Sequence, residues 1–559
     1  MIRMIDFKQT LVAYFSMEIG LQNDIPTYSG GLGVLSGDTL RSCADLQLPV
    51  VAVSLLYKKG YFRQKLDATG KQTEEDMRWD TKAHMQILPN EVVVNIEGRE
   101  VKVRAWVYPL QGITGQINPV VFLDTDIESN TEKDREITQR LYGYDEKYRL
   151  KQEAILGIGG VRMLKSIGCD QIVKYHMNEG HSSLLTLELL READKEKGDA
   201  IEQVRDKCVF TTHTPVPAGH DQFPRALAEQ VLGDYLPKDL AELVYYEDKL
   251  NMTHLGLRFS EYVNGVAKKH GEVSRDMFPD YHIDSITNGV HAFCWTASPF
   301  RKLFDTCLPG WTTDPLALRG VLGIKQRRIW EAHLECKRSL IDYVNSRFKS
   351  GLSEKIFTIG FARRAATYKR ADLLFSDLKR LKSIAQNSKG GIQIIYAGKA
   401  HPRDEAGKEV IQRIMAAMQS LKGVIDCCYI PDYDMDIAKV LIPGVDVWLN
   451  TPQRPHEASG TSGMKAALNG VPHFSVLDGW WLEGHIEGLT GFSIGGTAFH
   501  EAELDYQREV EDLYGKLEYV ILPTYYLDRD RWINIMTVSY THLRAHETVL
   551  DLVCRLLLE

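Results

Sequence analysis

Three stretches of the 559-residue chain concentrate residues able to do chemistry. In the first, Glu457-Ala-Ser-Gly-Thr-Ser-Gly-Met-Lys465, small residues and two glycines let backbone N–H groups approach an anion. The helix expected to follow would aim its positive end at the same place. Lys465 stands in the first turn of that helix beside Met464, Ala466, Ala467 and Leu468. A lysine among apolar neighbours loses hydration unless it is paired or neutral, and a neutral amine can form a Schiff base. A lysine joined to a phosphate cradle suggests pyridoxal phosphate, the alternative being a structural Gly/Ser/Thr turn. In the second stretch, Arg363-Arg-Ala-Ala-Thr-Tyr-Lys-Arg370, four cations within eight residues follow an expected strand. That is enough charge for two phosphate groups, or else a solvated basic turn. The third, Tyr28-Ser-Gly-Gly-Leu-Gly-Val-Leu-Ser-Gly-Asp38, lacks the G-x-G-x-x-G spacing of a dinucleotide site but still offers backbone amides to an anion. Two histidine stretches, His176 to His181 and Thr212 to His220, are neither of them HExxH, and no carboxylate or cysteine completes a typical metal set, so a bound metal is the weaker reading and none is assigned. A histidine at a strand's carboxyl end is instead read as a hydrogen-bonding partner of substrate.

Positioning these groups requires strands that end where they stand. Short β-rich runs followed by helical patterns recur at Leu11 to Ser16, Val50 to Leu56, Val120 to Asp124 and Cys208 to Thr212, the signature of parallel α/β architecture. A hairpin interrupts them: Val92 to Ile96 and Val101 to Tyr108 flank Glu97 to Glu100, where Gly98 permits the turn. The second half repeats the pattern, with strands expected at Ile356 to Phe361, Gln393 to Ala397, Asp446 to Asn450 and His473 to Val476. Helical spacing runs through Ala371 to Ala385 and Glu405 to Leu421, and a long amphipathic run, Gln326 to Phe348, forms the connection. The fold class is therefore α/β, with two doubly wound domains whose strand ends and glycine loops face one cleft. The domain reading is 1–295, 296–536, and a remainder, 537–559, whose THLRAHETVLDLV wording reads as foreign to the protein and is expected to be loosely held, the alternative being an amphipathic C-terminal helix carrying Leu550, Val553 and Leu557.

Composition narrows the function. The charge balance, 67 basic against 75 acidic residues, gives −8 with no Lys/Arg block, so no nucleic-acid partner is expected. Nine scattered cysteines without a C-x-x-C pair point to a reducing cytoplasm. The first residues lack a signal-peptide core, and no run of about 18 apolar residues occurs, so neither export nor membrane insertion is expected.

With these stretches assembled, the chain resembles the α-glucan (glycogen/maltodextrin) phosphorylases of the short prokaryotic type, from about Ala13 to Met536. The resemblance is carried by AYFSMEIGL (13–21), YSGGLGVLSGD (28–38), RLKQE (149–153), YHMNEGH (175–181), TTHTPVPAGHDQF (211–223), ITNGVHAFCW (286–295), RRAATYKR (363–370) and EASGTSGMKAALNG (457–470). It implies the GT-B fold and reversible phosphorolysis of terminal α-1,4-linked glucose to glucose 1-phosphate, with pyridoxal phosphate on Lys465. It further implies that Thr461, Ser462, Arg363, Tyr433 and Trp295 line the cofactor, Arg363 standing where lysine is commoner. Arg364 and Lys369 would hold the substrate phosphate with the Gly31 amide. Glu457, Ser459, Gly460, Asn288 and His213, with Gly30 and Leu32, would meet the terminal glucose. Ala366 and Thr367 replace bulkier polar residues of long-form relatives. The first motif begins at Ala13, so activity without covalent activation is expected, and a second copy of the chain is a further partner to test. Two other readings stand beside this one: a nucleotide-sugar glucan synthase of the same fold, and a non-catalytic glucan-binding protein.

Overall fold

The computed structural model of the protein describes residues 6–143, 145–193, 198–497 and 502–545. It divides into two units, one holding the residues up to Phe62 together with Asp76–Asn288, the other Arg63–Glu75 and the residues from Gly289.

In the first unit nine strands form one sheet: β1 (Val12–Ser16), β2 (Val50–Leu55), β3 (Gln86–Ile96), β4 (Arg99–Gln111), β5 (Ile117–Asp124), β6 (Lys174–Asn178), β7 (Cys208–Thr211), β8 (Tyr262–Gly265) and β9 (Asp284–Ser285). Their order is β9-β8-β7-β6-β1-β2-β5-β4-β3. From β9 to β5 every pair is parallel. Every residue of β1 and β2 is buried, as expected for strands covered on both faces. β3 and β4 add an antiparallel hairpin. Its turn is the pair Glu97-Gly98, both at positive φ (52° and 73°), which matches the twist of the strands. The hairpin expected from Gly98 is thus present, with a tighter loop than its four-residue spacing suggested. The sheet order reverses between β1 and β6, because β2 and β5 follow on one side and β7 to β9 on the other.

The second unit holds a six-stranded parallel sheet: β10 (Phe357–Ala362), β11 (Ile392–Ala397), β12 (Asp426–Ile430), β13 (Val447–Asn450), β14 (His473–Val476) and β15 (Gly491–Ile494), in the order β12-β11-β10-β13-β14-β15. This is the doubly wound arrangement, with its reversal between β10 and β13. Helix α1 (Gly31–Asp45) belongs to the first unit; α2 (Gln326–Phe348), α3 (Leu378–Asn387), α4 (Glu405–Leu421), α5 (Met435–Gly444), α6 (Thr461–Ala467), α7 (Ala502–Lys516) and α8 (Arg529–Ala545) belong to the second.

Two local readings change. The helix expected from Ala371 begins at Leu378, because the Asp377 carboxylate accepts the Arg380 N–H at 2.9 Å and caps it there, leaving Leu373–Phe375 as a 3₁₀ turn. The chain also makes an unexpected excursion. Arg63–Leu66 and Gln72–Glu75 pair as a small hairpin that packs in the second unit. The Gln64 amide donates to the Gly398 carbonyl (3.0 Å) and accepts the Asp432 N–H (2.8 Å), and Gln72 exchanges two bonds with Ala400 (2.9 and 3.0 Å). Helix α8 runs unbroken past Met536, with Thr537 and Ser539 buried, whereas residues 546–559 of the expected foreign tail lie outside the described residues. The described cysteines are all free thiols, and no described helix is long and apolar enough to cross a membrane.

Candidate active site

In each unit the chemistry gathers at the carboxyl ends of parallel strands, beside the point where strand order reverses. In the second unit Arg363 to Arg370 follow β10, Glu457 to Lys465 follow its neighbour β13, and Tyr433 lies between β12 and α5.

Glu457 is the hub. Arg363 Nη2 donates to Oε1 at 2.8 Å and Lys369 Nζ to Oε2 at 2.6 Å, with all three side chains buried or nearly so. Burial alone would raise the Glu457 carboxyl, but the two cations outweigh it and hold it down to about 2. Glu457 is therefore ionised across the working pH range, and the pair of cations is fixed on it. Arg370, the last cation of the basic run, has a structural task. Its guanidinium donates to the carbonyls of Thr451 (3.0 Å) and Pro452 (2.7 Å) and pairs with Glu509 of α7 (2.6 Å), so it braces the loop after β13. Arg364 is exposed.

Lys465 lies in α6, buried, with Nζ 4.0 Å from the ring centre of Trp295. Asn469 holds this contact in place: its side-chain amide donates to the carbonyls of Trp295 and Lys465 (both 2.8 Å), and its oxygen accepts the Ala297 N–H (2.7 Å). Sequence reasoning passed over Asn469, although the Asn-Gly pair ending the motif marked it. Gly460 precedes α6 in the left-handed region (φ 92°). The first amides of the helix, from Thr461 and Ser462, have no carbonyl within the helix to bond. The Ser462 hydroxyl accepts from Trp448 Nε1 at 3.1 Å, and the buried Ser459 hydroxyl finds no hydrogen-bond partner among the described residues. Burial raises the Tyr433 phenol above its ordinary value.

In the first unit Glu18 follows β1, Asn178 ends β6 with Glu179 next after it, and His213 follows β7. His213 Nε2 meets the Asn178 oxygen at 2.6 Å, and Glu179 accepts the His213 N–H at 2.7 Å. Burial takes the His213 imidazole down to about 4, so at neutral pH it is an uncharged hydrogen-bonding group. The other histidines of the two stretches have structural partners: His176 bonds Thr211 (2.8 Å), His181 meets Asp221 (3.3 Å) and His220 bonds Thr253 (2.8 Å). The glycine loop also differs from a simple anion cradle. The Glu18 carboxylate already accepts the N–H groups of Ser29 and Gly30, so the anion at the loop's entry is the protein's own. Gly37 serves packing, since a Cβ there would lie 2.0 Å from the Gly20 carbonyl oxygen, while Gly30 and Gly31 have open space around them. Gly31 and Leu32 begin α1, and Asn288 follows β9.

The carbohydrate phosphorylase family profile matches residues 237–487. A maltodextrin phosphorylase of Thermococcus litoralis is 41% identical over 568 aligned positions, covering 94% of this chain and 68% of the relative. Glycogen phosphorylases of Mycobacterium tuberculosis and Aquifex aeolicus are each 36% identical, again over 94% of this chain, and over 68% and 82% of their own lengths.

Proposed function

Because the chain belongs to the carbohydrate phosphorylase family, we propose that it catalyses phosphorolysis of terminal α-1,4-linked glucose from glycogen or maltodextrin, releasing glucose 1-phosphate. The observation that carries this is the grouping of Arg363, Lys369 and Glu457 at the reversal of the second sheet, in the same unit as the buried Lys465–Trp295 pair. A sugar phosphate needs this mixture of cations for the phosphate and a fixed anion for the sugar hydroxyls.

The donor set suits pyridoxal phosphate: a buried amine against an aromatic ring, the first amides of α6, and the Arg363 guanidinium held on Glu457 of the loop that leads into α6. Lys465 would hold the cofactor covalently, Thr461 and Ser462 would bind its phosphate, and Arg363, Tyr433 and Trp295 would line it. When bound, the cofactor supplies its own phosphate as an acid–base group for the substrate phosphate. Lys369 and Arg364 bind the substrate phosphate, and the charge of Lys369, balanced on Glu457, lets an anion approach without leaving a bare buried cation. Glu457, Ser459 and Gly460 contact the glucose from the second unit; the unbonded Ser459 hydroxyl is available for a sugar hydroxyl. In the first unit His213, Asn288 and the Gly30–Leu32 stretch are the sugar-binding candidates, and the Gly31 amide is the candidate for phosphate. His213, uncharged and oriented by Asn178, hydrogen-bonds the sugar and takes no proton. The enzyme works in the cytoplasm.

Two measurements test this together. Borohydride reduction followed by peptide mass analysis should place a pyridoxyl group on the peptide containing Lys465, and glucose 1-phosphate should form from maltodextrin only when phosphate is added. A folded protein lacking the adduct, or release of free glucose in place of its phosphate, rejects the proposal.

A further inference from the structure

We propose that Asp478 is a positioning residue that sets the place of Glu457, resting on the phosphorolysis reading given above. Asp478 follows β14 as Glu457 follows β13, and the two strands are parallel neighbours. Its side chain is 2% exposed and is spent on two backbone groups. Oδ2 accepts the Glu457 N–H at 2.9 Å, and Oδ1 accepts the Gly479 N–H at 2.9 Å. The next residues continue the contact: Trp480 donates its N–H to the Ser459 carbonyl at 2.9 Å. Gly479, at φ 56°, lies so close that a Cβ would stand 2.4 Å from the Ser459 oxygen and 3.1 Å from Glu457 Cγ. Residues 478–480 thus clasp 457–459 by their backbone, while Arg363 and Lys369 hold the Glu457 head group.

The choice of aspartate has a chemical reason. A carboxylate accepts with both oxygens, whereas an asparagine in the same place accepts with one and turns an NH₂ group toward the second N–H donor. The clasp would open on one side, and the Glu457 carboxylate would lose its fixed position relative to the sugar and Lys369. A shift of this kind harms the chemical step through misplacement more than it weakens phosphate binding.

The test uses the cofactor-loaded full chain. In Asp478→Asn, kcat on maltodextrin should fall about tenfold or more while KM for phosphate stays within about twofold and cofactor absorbance per chain is unchanged. In a Glu457→Ala background, where there is no carboxylate left to place, the same substitution should change kcat by less than about twofold. An equal fall in both backgrounds, or no fall in the wild-type background, overturns the proposal. Should Asp478→Asn not fold, Asp478→Ser, which keeps one acceptor oxygen, goes through the same cycle. If the wild-type chain shows no phosphorolysis, the functional reading falls, and hydrogen exchange of the peptide containing Glu457 decides the clasp: faster exchange in Asp478→Asn supports it and equal exchange overturns it.

Discussion

A single carboxylate carrying two buried cations governs the site at the scale of residues. Glu457 binds Arg363 and Lys369 at once, and its carboxyl, ordinarily at 4.5, sits at about 2. A depressed carboxylate contributes stability that is fully present above its ordinary value and is lost as pH falls toward the depressed one. The window for Glu457 therefore runs from about pH 4.5 down to about 2. Removing Lys369 takes away one of the two cations that overcome burial, so the carboxyl must rise. Both Lys369→Ala and Arg364→Ala should lower kcat/KM for phosphate by about a hundredfold while retaining cofactor, since each loses a charge-assisted contact. Only Lys369→Ala should also move the acid limb of the activity profile to higher pH. Superimposable limbs in the two variants would show that Lys369 does not control the charge of Glu457.

At the scale of elements, the sheet of the second unit is tied to its covering helices by a buried ion cluster remote in sequence from the basic run. Lys337 of α2, fully buried, donates to Asp446 (2.5 Å) and to the Ile356 carbonyl (2.7 Å). The same carboxylate accepts the Thr358 N–H (2.7 Å) and meets His333 (2.9 Å), joining α2 to the beginnings of β10 and β13. Burial would raise the Asp446 carboxyl, and Lys337 and His333 hold it down to about 2. Asp446→Asn leaves the Lys337 ammonium without its anion at a fully buried position. This should cost about 3 to 5 kcal/mol, read as a lower denaturant midpoint for the second unit. A change below about 0.5 kcal/mol, the size of a surface substitution, would mean that the cluster contributes nothing to the sheet. The same scale explains the helix that starts late: the apolar spacing from Ala371 was legible, but the Asp377 cap decided where the turn geometry changes.

At the scale of the whole molecule, the second unit is not one continuous piece of chain, because Arg63–Glu75 belongs to it. The buried glutamines of that hairpin satisfy backbone groups that follow β11 and β12, including the Asp432 N–H next to Tyr433. Gln64→Leu and Gln72→Leu should each cost about 1 to 3 kcal/mol by leaving those groups unsatisfied, and should do so in the unfolding of the second unit although both lie in the first hundred residues. Loss confined to the first unit, measured by region-resolved hydrogen exchange, would contradict this assignment. The sequence by itself determined what is local. The ranges of α2 and α4, the Gly98 hairpin and the strand ending at the basic run all follow from signals within a few turns of chain, where spacing, turn residues and apolar period act directly. Only the tertiary structure decided which charges meet. It set Lys369 on Glu457 across 88 positions, turned Arg370 to Glu509, capped the glycine loop with Glu18, and brought Asp478 to the Glu457 backbone. Such partners are chosen when distant strands become neighbours in a sheet and burial makes every unpaired polar group costly, and residue types along a chain carry no record of that choice.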